Sequence, residues 1–401
     1  MKAVIAGGGT GGHIYPGIAI AEELQKRNIE NAILFIGTED GLERDVISRE
    51  RFSLKFIRSK KVTRKLSFGL LLVPFHVLVG FFQAREILKE YAPDIVISTG
   101  GYVSFPVVLA AATLRLPVLL HEQNTIPGLT NRLCQIFARR VTVSYPGSIS
   151  YFRKNKTVLT GNPVRREVLN AIRSVSRQKL NLDQKRKTVL VIGGSLGARR
   201  INEMVVDLMD YFTGEGIQVL HVVGQRDYGW VAGRTANRLI DFETEVPIIK
   251  GKKRQMTIAK HKLYHAIPFM YNIWDGLAAS DLVVSRAGAT ILAEITLRGL
   301  PSIIIPFPYS AEGHQAKNAS VMGAAGASIV IEESKLSSDV LRQSIRMVLD
   351  DIGRSRSMSE ASKKLSNPYA SGRIVDIIYN DILKIGVIRK AKIRKVVRGA
   401  K

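Results

Sequence analysis

The run Gly7-Gly8-Gly9-Thr10-Gly11-Gly12-His13 stands between a short apolar stretch and a helical pattern containing Pro16. Glycines let a backbone turn sharply and approach a ligand closely. A helix that starts there, with Pro near its first turn, offers N–H groups and a positive dipole end to an anion. A second loop of this kind is Gly193-Gly194-Ser195-Leu196-Gly197-Ala198. Two such loops, each at a strand-to-helix switch, imply two anionic ligands facing each other across an interdomain cleft. Taken alone, Gly7-x-Gly9-x-x-Gly12 also fits a dinucleotide fingerprint, with Glu39 or Asp40 holding a ribose, and leaves an oxidoreductase open.

Other polar clusters close apolar runs: Thr99-Gly100-Gly101-Tyr102, His121-Glu122-Gln123-Asn124, Gly161-Asn162-Pro163-Val164-Arg165, Arg286-Ala287-Gly288-Ala289-Thr290 and His314-Gln315 with Asn318. Singly, most are turn and cap chemistry: Gly100-Gly101 a tight turn, Asn162 a cap, His121 a satisfied buried histidine. Together they fit the carboxyl ends of strands in an open α/β sheet, where ligands sit.

The elements that must position these clusters follow from the apolar pattern. Lys2–Ala6, Ala32–Gly37, Asp94–Ser98, Pro117–His121 and Arg140–Ser144 read as buried strands, with a helix over Pro16–Arg27. Near-continuous apolar runs separated by helices indicate parallel strands covered on both faces. The pattern restarts with strands Thr188–Ile192, Val219–Val223, Asp281–Ser285 and Ser302–Pro306, and helices Ala198–Met209 and Ala289–Arg298. The expectation is α/β: two doubly wound, Rossmann-like domains in tandem, 1–164 and 165–365, then a helix over 366–383 and a basic tail 384–401. Gly161–Lys187 reads as a polar linker, and Gln225–Lys262 has no clear pattern.

A chain of 401 residues suits two domains, since single cores seldom exceed roughly 250–300 residues. At 46% hydrophobic residues it is not mainly disordered, and its single cysteine, Cys134, excludes a disulfide framework and fits a reducing compartment. No secretory leader is expected after Met1. The net charge of +25 is localised: Arg51–Lys65 holds seven basic residues and no acid, Arg153–Lys187 eleven against two, and Lys384–Lys401 eight and none. Localised charge points to a docking surface. Leu66–Phe82 follows the first cluster with no formal charge, but Pro74 and His76 interrupt it and it falls short of a span. Apolar area beside Lys60, Lys61, Arg64 and Lys65 is the composition of a peripheral contact with anionic lipid, so a membrane surface rather than a nucleic acid is the expected partner.

The segments GGGTGGHIYPGIAIAEEL, STGGYVSFPVVLAA, HEQNTIPGLTNRL, TGNPVRREV, GGSLGARRIN and SRAGATILAEITLRGLPSIIIPFP, in this order, resemble the MurG family of bacterial peptidoglycan glycosyltransferases. The resemblance spans roughly residues 1–380. It implies the GT-B fold, two facing domains around a cleft, and inverting transfer of N-acetylglucosamine from UDP-GlcNAc to the 4-hydroxyl of lipid I, giving lipid II. It implies an enzyme on the cytoplasmic face of the membrane, bound peripherally; the sequence has no Asp-x-Asp pair of the kind that holds a divalent metal under a nucleotide diphosphate, so neither a metal nor a cofactor is expected. The amino-terminal domain then receives the acceptor and the carboxy-terminal domain the donor. His13 is the general base that the resemblance suggests. Thr10, Gly11, Gly12 and Asn124 contact the donor sugar or shape the acceptor side. Arg165 and Ser195 bind the donor, and Met270 offers backbone groups to uracil. Ala289, Thr290, Ile291, Leu292 and Ala293 form the helix start beneath the diphosphate, Glu294 holds the ribose, and Gln315 bonds the sugar. Where the family commonly has two glutamines, this chain has His314-Gln315. Other GT-B enzymes, such as a UDP-GlcNAc 2-epimerase or a lipid galactosyltransferase, are the alternative.

Overall fold

A computed structural model of the chain describes residues 1–59, 73–194, 197–235, 240–244, 256–261 and 263–384, with 73–74, 240–244 and 256–261 described by backbone alone. The chain forms two compact units, Met1–Arg165 with the segment from Asn367 onward, and Arg166–Ser366.

The first unit holds a parallel sheet of β1 (Lys2–Gly7), β2 (Ala32–Gly37), β3 (Ser53–Phe56), β4 (Ile95–Gly100), β5 (Val118–Glu122), β6 (Arg140–Val143) and β7 (Thr157–Leu159), in the order β3-β2-β1-β4-β5-β6-β7. Val4, Ile5, Val96 and Ile97 are fully buried, because successive side chains enter the two opposite helical layers. The order reverses between β1 and β4. Loops leaving neighbouring strands there diverge and open a crevice at the carboxyl edge. The glycine run after β1 and the Gly100–Val103 turn after β4 both start at that point.

The second unit repeats the plan with β8 (Thr188–Ile192), β9 (Gln218–Val222), β12 (Tyr264–Ile267), β13 (Leu282–Ser285), β14 (Ser302–Ile304) and β15 (Ser328–Val330), six parallel strands in the order β12-β9-β8-β13-β14-β15. An antiparallel pair, β10 (Ile240–Thr244) and β11 (Met256–His261), extends the β12 edge. Here the switch lies between β8 and β13.

Several expectations are corrected. The first helix begins at Gly11, five residues before Pro16, because the Thr10 carbonyl accepts both the His13 and Ile14 amides and closes the first turn ahead of the proline. Gly161–Lys187 is not simply a polar linker. It contains the helices Arg166–Asn170 and Arg173–Lys179 of the second unit. Arg177 is 1% exposed there, donating to the carbonyls of Ala279, Asp183 and Gln184 and pairing with Asp281 at 3.0 Å. A basic residue reads as solvated in sequence, yet enough converging acceptors make burial tolerable. The patternless stretch starts with a helix, Gln225–Thr235, and continues into β10 and β11. The short strands β3, β7 and β15 carry too few residues for periodicity to reveal.

The helical pattern over Ser355–Leu383, which the sequence assigns to neither domain, divides between units. Ile352–Leu365 belongs to the second. Ala370–Ile377 packs on the Gly11–Arg27 helix of the first, with Arg27 bonded to Asp376 at 3.1 Å, Asn31 to Tyr379 at 2.8 Å and Arg140 to Asp381 at 3.0 Å. Lys60, Lys61, Arg64, Lys65, Leu66–Leu72 and the tail beyond Lys384 lie outside the described residues.

Candidate active site

In the first unit the crevice is built around one carbonyl. Thr99 O, at the end of β4, accepts from His13 Nδ1 at 2.8 Å and from Gln123 Nε2 at 2.8 Å, so it ties the loops after β1, β4 and β5 together. The Thr99 hydroxyl returns a bond to His13 O at 2.7 Å. A carbonyl only accepts, so His13 Nδ1 carries the proton and the basic lone pair of the neutral ring belongs to Nε2. Gly7 leaves room for the Thr99 hydroxyl, and Gly100, at φ +91°, brings the chain against the His13 ring, where a Cβ would stand 3.2 Å from it. Gly9 adopts φ +89° and lies against the Tyr102 ring, whose hydroxyl bonds Thr38 at 3.0 Å.

The Asn124 loop is organised by a buried carboxylate. Glu122, 1% exposed, accepts from Asn124 N at 2.9 Å, Asn124 Nδ2 at 3.1 Å, Gly128 N at 3.1 Å and Asn131 Nδ2 at 2.9 Å. Burial pushes its carboxyl above the usual range, and these donors oppose that shift. Arg165 ends the first unit, with its guanidinium 4.0 Å from the Tyr15 ring centroid, so the same unit carries Thr10, Gly11, Gly12, His13, Asn124 and Arg165.

In the second unit Gly194 (φ +89°) and Gly197 (φ +81°) shape the loop after β8, and the Gly197 amide bonds Gly194 O at 3.0 Å. Ser195 lies outside the described residues. After β13, Ala287 is held on both sides: its amide donates to Gln315 Oε1 at 3.3 Å and its carbonyl accepts from Asn318 Nδ2 at 3.1 Å. Gln315 Oε1 also takes the Phe307 amide at 2.9 Å, so the amide nitrogen is what this side chain has to offer a ligand. The helix Ala289–Arg298 starts directly after Gly288, and Leu292 N bonding Gly288 O at 3.1 Å closes its first turn. Its first-turn amides therefore face the carboxyl edge of the sheet, a setting for phosphate. Ala289, Thr290, Leu292 and Glu294 are buried, while Ile291 and Ala293 are half-buried. Met270 occupies the turn after β12 with its sulfur over Gly276. His314 Nδ1 bonds Ala311 O at 2.6 Å.

Two histidines are structural. His121 lies between Thr142 at 3.0 Å and Asn162 at 3.2 Å, and His221 between Tyr264 at 2.7 Å and Asn202 at 2.9 Å. Burial pushes their pKa values down from 6.5 to about 4 and about 3. Below pH 6.5 the unfolded chain takes up protons that these rings refuse in the folded state. Their contribution to stability is complete above pH 6.5 and is lost as pH falls toward 4 for His121 and toward 3 for His221. Urea unfolding at stepped pH should show that decline. His121→Gln or His221→Gln should flatten it in the unit concerned; an unchanged slope in both would contradict the assignment.

The sequence reading missed Glu43 and Tyr15. Glu43 lies close to the acids Glu39 and Asp40 that were weighed for a ribose, and those two are exposed in the turn after β2, whereas Glu43 is 1% exposed behind the glycine run. Only burial distinguishes them, and no local pattern encodes it.

Residues 3–143 match the glycosyltransferase family 28 N-terminal domain, and residues 188–374 its C-terminal domain. The chain is 40% identical over 380 residues to a UDP-N-acetylglucosamine–N-acetylmuramyl-(pentapeptide) pyrophosphoryl-undecaprenol N-acetylglucosamine transferase of Desulforamulus reducens, covering 94% of this chain and 98% of that one. The protein of the same name from Acetivibrio thermocellus is 38% identical, covering 96% and 99%. Among solved structures, the Acinetobacter baumannii MurG matches with TM-score 0.66 at 26% identity, over 94% of this chain and 99% of that one. A Neisseria meningitidis UDP-GlcNAc 2-epimerase matches with TM-score 0.62 at 15% identity, over 94% and 99%, a likeness of fold alone. The oxidoreductase that the glycine pattern left open is thereby set aside. The chain belongs to glycosyltransferase family 28 and, within it, to the N-acetylglucosamine transferases that carry this name.

Proposed function

We propose that the protein transfers N-acetylglucosamine from UDP-GlcNAc to the 4-hydroxyl of the N-acetylmuramoyl sugar of lipid I, forming lipid II in peptidoglycan synthesis. The observation that carries this reading is identity near 40% along 94% of the chain to transferases of that name. The arrangement of His13 supports a chemical role for the first unit. The acceptor hydroxyl is a weak nucleophile and needs a base within hydrogen-bond reach as it attacks the anomeric carbon. His13 has its tautomer set by Thr99, so Nε2 is the atom that takes the proton. Thr10, Gly11, Gly12 and Asn124 serve the acceptor side and the transferred sugar.

The departing UDP gains negative charge. In this reading Arg165, Ser195 and the first-turn amides of the Ala289–Arg298 helix stabilise it. Met270 serves the uracil, Glu294 the ribose and the Gln315 amide nitrogen the sugar. A single displacement inverts the α-linked donor to a β1→4 product. The test is release of UDP from UDP-GlcNAc with and without a lipid I analogue. Release only with the analogue supports the transfer, and a changed sugar with no acceptor present would establish an epimerase instead.

We further propose that the first unit meets the cytoplasmic face of an anionic membrane. No helix among the described residues is long and apolar enough to cross a membrane. The Val73–Tyr91 helix, however, exposes Phe75, Leu78 and Phe82 at 59%, 53% and 59%, one outward stripe at i, i+3 and i+7. Arg58 runs beside it, its amide bonded to Gln83 at 2.7 Å, at the entrance to the basic segment. Replacing Phe75 and Phe82 together by serine is expected to lower binding to phosphatidylglycerol vesicles about tenfold or more, given roughly 1.5–3 kcal/mol per buried side chain. Unchanged sedimentation with vesicles would remove this face from the contact.

A further inference from the structure

The glycine run is backed by a carboxylate with no part in the transfer proposed above. Glu43, at the start of the short helix Glu43–Arg49, points under the run, and its Oε1 accepts the Gly9 amide at 3.0 Å. Glycines on three separate stretches make the space it fills. A Cβ at Gly8 or Gly41 would overlap its carboxylate oxygens, and one at Gly37 would stand 2.9 Å from its Cβ. The side chain is 1% exposed, and Oε2 has no hydrogen-bond partner among the described residues. Burying a carboxyl is costly, and burial pushes its pKa above the ordinary range, against the opposing effect of its own backbone amide and those of Gly9 and Thr38. A turn that only needed to close would be served by apolar filling. What the carboxylate adds is a directed anchor for Gly9, one residue before the Thr10 carbonyl that starts the helix bearing His13.

We propose that Glu43 is a positioning residue for the transfer step, fixing the backbone of Gly7–Gly12 and through it the placement of Thr10 and His13. This rests on the reading of that run as part of the active site. The carboxylate acts through the loop and touches no substrate. Its geometry is what matters: an acceptor oxygen at one set distance from the Gly9 amide. Glutamine preserves that oxygen and that distance. Aspartate is one methylene shorter and withdraws it.

The test compares Glu43→Asp, Glu43→Gln and Gly8→Ala in the full-length chain, with melting temperature as the check on folding. Three readouts are taken: kcat with a lipid I analogue, UDP-GlcNAc affinity by titration, and hydrogen exchange of the peptide covering residues 7–12. Glu43→Asp is expected to lower kcat on the order of 100-fold, the scale set by misplacing a catalytic group by about 1 Å. UDP-GlcNAc affinity should stay within about twofold, while exchange at 7–12 rises about tenfold as the loop opens locally. Glu43→Gln should keep kcat within about threefold and retain wild-type exchange. Gly8→Ala pushes on the same contact from the loop side and should repeat the aspartate signature, so the contact is still read if the aspartate variant does not fold.

A folded Glu43→Asp or Gly8→Ala protein with wild-type exchange at 7–12 overturns the proposal. So does a glutamine variant as impaired as the aspartate one, since that makes charge rather than geometry the requirement. If the wild-type protein releases no UDP with the lipid analogue, the transfer reading fails, and the exchange measurement still decides the role of Glu43.

Discussion

Replacing His13 by alanine lowers turnover by about 100-fold or more while UDP-GlcNAc binds with unchanged affinity. The size follows from removing a general base, whose contribution is typically 10²–10⁴-fold. The direction of the split follows from placement. His13 belongs to the first unit, and the residues assigned to uracil, ribose and diphosphate in the described chain lie mainly in the second. Donor affinity is thus the internal control. His13→Asn sharpens the test, because its Nδ2, bonded to Cγ as Nδ1 is, can replace that donor to Thr99 O yet offers no comparable base. An asparagine variant as slow as the alanine one assigns the loss to proton transfer. Recovery by asparagine would reduce His13 to a bridge between β1 and β4.

The second large effect is on stability. Glu122→Ala is expected to cost on the order of 3 kcal/mol or more, because donors at Asn124, Gly128 and Asn131 lose their acceptor together. For a unit of this size that lowers its melting temperature by roughly 6–12 °C. Glu122→Gln separates two causes. It keeps one acceptor oxygen but sets an amide N–H₂ against donors, so it should recover only part of the loss. A calorimetric transition that shifts by under about 2 °C in the alanine variant would mean the loop is held by its packing and the carboxylate is incidental. Activity should fall with stability here, since Asn124 is positioned by the same carboxylate.

These expectations differ in how far the sequence alone foreshadowed them. His13 is announced by its neighbours: a glycine run between a strand and a helix is a local pattern, and local patterns survive in a linear string. The repeated alternation of apolar runs and helices likewise revealed two doubly wound units, because buried parallel strands need apolar residues on both faces. Glu122 was visible inside HEQN, but nothing in the string says that it faces inward and gathers four donor atoms.

Where periodicity was short or chemistry was non-local, the reading failed for definite reasons. Strands β3, β7 and β15 are three or four residues long, below the length at which alternation is distinguishable from a loop. Arg177 looked like part of a solvated basic linker, since its acceptors come from residues 183–184 and 279–281, up to about a hundred positions away. Its burial is a property of that meeting and not of the surrounding composition.

The sequence by itself determined the class of chemistry: glycine runs at strand-to-helix switches, a histidine on the first of them, and the ordered motifs that carry the family. Those depend on residue type and spacing, which the chain states directly. Only the tertiary structure decided which nitrogen of neutral His13 carries the proton, that Gln315 spends its oxygen on Ala287 and Phe307, and that Glu43 rather than Glu39 or Asp40 stands behind the glycine run. Each of these depends on which backbone groups strand order brings within hydrogen-bond distance, and that order is set by the packing of the whole sheet.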